Sequence, residues 1–69
     1  MEEAINKISK FASQLAWFMS STLIRLDIQY NEDEGKYYGY VWLRDKDGKF
    51  DRWEILPDGY AKNTTITIA

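Results

Sequence analysis

The chain contains neither histidine nor cysteine. Their absence removes together the commonest general base near neutral pH, the thiolate nucleophile and most transition-metal ligand sets. Any chemistry would have to come from carboxylates, tyrosine, lysine or serine. DKDGKFD spaces three carboxylates, Asp45, Asp47 and Asp51, over seven positions. Its spacing does not suit calcium. A helix-loop-helix calcium site needs glycine at its sixth position and a bidentate glutamate at its twelfth, whereas counting from Asp45 reaches Gly48 at the fourth and Leu56 at the twelfth. A turn is the better reading. The acidic run Glu32 to Glu34 offers a contact for a basic partner or a cation, but such runs are ordinarily solvated loops. Asn63-Thr64-Thr65 matches a glycosylation triplet and carries no weight, because nothing in the sequence points to secretion. No catalytic cleft assembles from these groups, and the sequence reads as noncatalytic, without a cofactor or metal.

The residues that stand out are of binding types. YYGYVW, from Tyr37 to Trp42, puts four rings into six positions, and RDKDGKFDR follows directly after Leu43. Alternation along a strand gathers Tyr38, Tyr40, Trp42 and Arg44 on one face, joined from the next strand by Phe50, Arg52 and Glu54. Tyrosine, tryptophan and arginine are enriched at binding hot spots because each combines large area with a polar or charged handle. Trp17 is a further candidate from the N-terminal segment.

A helix over 2–21 and strands over 22–30, 37–45, 49–56 and 64–69 would position these residues. In the first segment Ala4, Ile5, Ile8, Phe11, Ala12, Leu15, Ala16, Phe18 and Met19 fall on one arc at helical spacing, and Glu2 and Glu3 suit the positive end of the helix dipole. Trp17 projects almost opposite the centre of that arc. Its ring folds over its neighbours, the helix bends, or the ring meets a partner. TLIRLDIQY then alternates, with Ile24, Leu26, Ile28 and Tyr30 on the inner side and Arg25, Asp27 and Gln29 on the outer. Lys46-Asp47-Gly48 and Pro57-Asp58-Gly59 both read as three-residue turns closed by a glycine of positive φ. The fold class is therefore α+β, an amphipathic helix on one face of a three- to four-stranded antiparallel meander (αββββ) in two layers.

Register decides where the rings go. A three-residue first turn sets Val41 opposite Trp53 and Trp42 opposite Arg52, so that Tyr37, Val41, Leu43, Trp53 and Ile55 face the helix and the even-numbered rings face away. A two-residue Asp47-Gly48 turn would instead put Trp42 beside Trp53 and strip the helix of its best partners. Carried across the second turn, the first register pairs Glu54 with Lys62 and sends Ile66 and Ile68 to the aromatic face, unless Asn63 shifts the phase.

With 69 residues, there is one domain and no chain left for a second cover over the rings. Chains of this size bury only about 60% of the surface they expose when unfolded, and disulfide or zinc staples are absent. Packing against a second copy would supply the missing layer, so a homo-oligomer is expected. The preferred function is a small noncatalytic interaction module that occupies a surface on a protein partner, by analogy of size and acidity with small phage or mobile-element inhibitors and accessory proteins. The alternative is a binder of a nucleotide or single-stranded nucleic acid, with bases on Tyr38, Tyr40 or Trp42 and phosphates on Arg44, Arg52 or Lys62. Nine basic against eleven acidic residues, a net charge of -2, disfavour a polymeric nucleic acid. The most apolar run, Phe11 to Ile24, is too short and too interrupted to cross a membrane. Early glutamates oppose a signal peptide, and the lack of cysteine makes the cytoplasm the expected compartment.

Overall fold

The computed structural model describes residues 2–65. In chain order it contains α1 (Glu2–Phe18), β1 (Thr22–Asn31), β2 (Lys36–Arg44), β3 (Phe50–Ile55) and β4 (Ala61–Asn63). The strands form one antiparallel sheet in the order β1-β2-β3-β4, and α1 covers one of its faces. This is the two-layer αββββ arrangement.

The helix buries a narrow stripe of one residue per turn, Ile8, Ala12 and Ala16. Small residues at two of those three positions let the helix approach the sheet closely. Val41, Leu43 and Ile55 meet them from β2 and β3, while Phe11, Leu15, Leu23, Leu26, Ile28, Tyr37 and Trp53 close the rim of the core. Each fully buried aliphatic side chain contributes about 1.5 to 3 kcal/mol relative to exposure. At Gly39 the inner face of β2 carries no side chain, and a Cβ built there would overlap the side chain of Ile8. The helix lies over β1, β2 and the near side of β3 and does not reach β4. Beneath its rim the indole Nε1 of Trp53 is buried with no hydrogen-bond partner among the described residues.

The helix ends at Phe18, short of the expected 21. Ser20 takes a left-handed backbone conformation at φ 52, and the amide of Ser21 donates to the carbonyl of Ala16 at 2.9 Å. This closes the helix with a reversed turn. Phe18, still within the helix, is 78% exposed, and Met19 just beyond it is also exposed, although periodicity places both on the apolar arc.

Both glycine turns form as three-residue loops. Asp45 N–H donates to the Lys49 carbonyl at 3.0 Å, and Gly48 sits at φ 82; the second turn repeats this with Leu56, Tyr60 and Gly59 at φ 97. Asp45 also accepts from the amides of Asp47 and Lys49 through Oδ1, both at 2.9 Å. Val41 therefore pairs with Trp53, Trp42 with Arg52 and Glu54 with Lys62. The two-residue alternative is excluded.

Two assignments change. Between Leu23 and Arg25 the β1–β2 register shifts, because Ile24 is an extra residue in a bulge. Leu23 takes the inner place expected for Ile24, and Ile24 is 45% exposed. A bulge inverts the side of every residue before it. Ahead of the strand expected over 64–69, pairing with β3 already begins directly after the turn, at Ala61–Asn63. Asn63 Oδ1 then accepts from the Thr65 amide at 2.8 Å, a local side-chain turn at the end of β4. Residues 66–69, with the phase of Ile66 and Ile68, lie outside the described residues.

Candidate functional site

The face of the sheet turned from α1 is built in cross-strand rows. Nearest the β2–β3 turn stand Thr22, Arg44 and Phe50; then Arg25, Trp42 and Arg52; then Asp27, Tyr40, Glu54 and Lys62; then Gln29 and Tyr38. All six candidates from β2 and β3 lie on this face. Trp42, Tyr40, Tyr38 and Arg52 are half-buried by one another, and Phe50 is 53% exposed at the corner.

Arginines and rings interlock. The Arg25 guanidinium lies 5.4 Å from the Trp42 ring centroid and that of Arg52 lies 5.5 Å from the centroid of Tyr40. A cation over an aromatic face at this range is attracted by the ring quadrupole, and both side chains are stiffened by the contact. Hydrogen bonds fix their other ends. Arg25 pairs with Asp27, Nη2 to Oδ2 at 3.1 Å, and Arg52 Nε donates to Thr64 Oγ1 at 3.1 Å. Beyond the end of β4 the Thr64 amide still donates to the Arg52 carbonyl at 2.7 Å, but the Arg52 amide donates to a side chain, Thr65 Oγ1, at 3.0 Å, and that hydroxyl donates to Asp51 Oδ1 at 3.3 Å. Trp42, Phe50, Asp51, Arg52 and Thr65 together line a shallow hollow of about 240 Å³.

The opposite end of the face is acidic. Tyr38 donates its hydroxyl to the Glu34 carboxylate, which reaches onto the face from the β1–β2 loop. That hydrogen bond to a carboxylate, with further help from desolvation and the negative field of Glu34 and Glu54, pushes the Tyr38 hydroxyl up to about 12. Burial, then the charge of Glu54, raises Tyr40 as well, while Arg52 opposes the shift. Neither tyrosine is activated as a base or nucleophile; both are held protonated, as hydrogen-bond donors. Among the described residues no group of three or more carboxylates converges in a way that would hold a metal ion.

Trp17 is not part of this face. It projects from the last turn of α1, 84% exposed, next to Phe18. With Phe11, Gln14, Leu15, Ile55, Gly59 and Ala61 it borders an apolar hollow where the helix stops short of β4. The molecule thus carries a charged and aromatic sheet face and, apart from it, an apolar hollow beside the end of α1.

Arg25, Asp27 and Glu34 are site residues that the aromatic pattern alone does not single out. The alternation of β1 does place Arg25 and Asp27 outward, so their signal was the register of β1 on β2. Glu34 had none, because its place depends on how the loop folds back. Comparison with protein families, curated proteins and solved structures finds no match. Function must be argued from this geometry. No helix among the described residues is long and apolar enough to cross a membrane.

Proposed function

We propose that this chain is a noncatalytic interaction module that docks a protein on the outer sheet face centred on Trp42 and Tyr40, and that its working form is a homo-oligomer. The observation that carries the reading is the pair of guanidinium groups already stacked on those two rings. A preorganised patch of arginine and aromatic side chains loses little side-chain freedom when it is covered, which favours association. The same stacking weighs against a nucleotide, because a base would have to displace a guanidinium from the ring it sought. An accessory or inhibitory role of the kind found in small phage proteins suits a surface that binds but does not react.

Static light scattering over a range of concentrations tests this reading. The wild-type chain is expected to gain mass with concentration, and Trp42→Ala and Tyr40→Ala to remain monomeric while keeping their circular dichroism. An oligomer indifferent to both substitutions would remove this face from consideration. Titration with nucleotides, followed by tryptophan fluorescence, is expected to leave the spectrum unchanged.

A further inference from the structure

Charge is not scattered over the outer face. The two rows nearest the β2–β3 turn carry Arg44, Arg25 and Arg52, whereas the next two carry Asp27 and Glu54 with Glu34 beside Tyr38. The division runs between Trp42 and Tyr40, across all the long strands. Lys62 at the edge is the one cation on the acidic side of that division within the four rows. A surface divided in this way is complementary to itself turned end for end.

Resting on the reading of this face as a docking surface, we propose that the protein it takes up is a second copy of the same chain. The copies stack sheet on sheet, related by a two-fold axis that lies between them and crosses the strands at the level of Val41. Such an axis reverses strand direction but keeps each strand over its own equivalent. The Arg25–Trp42–Arg52 row then lies over Asp27, Tyr40 and Glu54 of the second copy, and Arg44 lies over its Tyr38 and Glu34. Every arginine of the face meets a carboxylate, each contact is made twice, and Trp42 and Tyr40 fill the centre. Such a self-matching patch is what closed two-fold association requires. Two sheets stacked about 10 Å apart with strand directions within about 30° leave room for interdigitated rings. The opposite choice, an axis along β2, keeps every row at its own level and sets Arg44 over Arg44, Arg25 over Arg52 and Asp27 over Glu54, and like charges at an interface are penalised.

The test is a charge exchange on β3. Arg52→Glu alone and Glu54→Arg alone each place like charges opposite one another at two symmetric contacts, so each variant is expected to be folded and to dimerise at least about tenfold more weakly than wild type. In an equal mixture of the two, positions 52 and 54 are both acidic in one copy and both basic in the other. Opposite charges then meet again at both symmetric contacts, and a heterodimer is expected by light scattering and by native mass spectrometry. A chain carrying both changes is expected to dimerise by itself. Arg25→Glu with Asp27→Arg repeats the experiment on β1, in case either β3 variant fails to fold. Single variants that dimerise as well as wild type, mixtures that stay monomeric, or a wild-type chain monomeric at all concentrations would each overturn the pairing. A dimer that survives these exchanges but is lost in Trp42→Ala would overturn this arrangement and leave the docking face standing.

Discussion

Ile8 packs directly onto the backbone of Gly39, with no room between them for a Cβ. This contact sets the distance between helix and sheet, and through it the alignment of β2, whose other face bears Tyr38 and Tyr40. Gly39→Ala is expected to cost about 1 to 3 kcal/mol, the usual penalty for overfilling a packed site. Ile8→Ala alone should also destabilise, by about 2 to 5 kcal/mol. The double variant should lose less than the sum of the two, because the truncated helix side chain makes the room that the new methyl needs. Urea unfolding of the four proteins measures that coupling.

The core and the helix end differ in what they contribute to the fold. Leu43 is fully buried, and Leu43→Ala is expected to lower unfolding free energy by about 2 to 5 kcal/mol. Trp17→Ser should change it by no more than about 0.5 kcal/mol, since an indole 84% exposed gives up little on folding. A large loss in Trp17→Ser would show that the ring packs on the domain.

Asp45 holds the β2–β3 turn by accepting from two backbone amides. Asp45→Ala is expected to cost about 1 kcal/mol, as both amides turn to water. Asp45→Asn, which keeps an acceptor at the same place, should recover most of it. Thermal unfolding followed by circular dichroism separates the two variants.

Tyr38 should ionise late. Its folded hydroxyl is raised to about 12 from an ordinary 10.0, so the folded state holds the proton more tightly than the unfolded chain does. The stabilisation linked to this group is therefore complete below pH 10 and is lost as pH rises from 10 towards 12. Ultraviolet absorbance of the phenolate should show a late fraction that moves to lower pH in Glu34→Gln. An unchanged titration in that variant would contradict the hydrogen bond as the main cause.

Much of this was legible in the sequence. The Asp-Gly turns determined the β2–β3 register, because a three-residue loop closed by a positive-φ glycine leaves one way for the flanking strands to pair. With the register came the outward direction of Tyr38, Tyr40, Trp42, Arg44, Phe50 and Arg52. Ile24 was not legible: a bulge depends on how two strands compete for the same inner positions, and Leu23 and Ile24 are equally apolar. The helix end at Phe18 was hidden for a related reason, since Phe18 and Met19 continue the apolar pattern while the backbone reverses at Ser20. Glu34 belongs to the site only through loop geometry. The short β4 also escaped, because AKN has no strand pattern of its own and pairs by following its turn.

The extra residue at Ile24 has a consequence for how large an assembly can become. A straight outer margin on β1 would invite other copies to anneal sideways, and sheets that do so grow into ribbons. Here that margin is kinked at Ile24. Sideways annealing along β1 would have to stop at that kink, which leaves Arg25 to Asn31 as the longest regular stretch a neighbouring strand could follow.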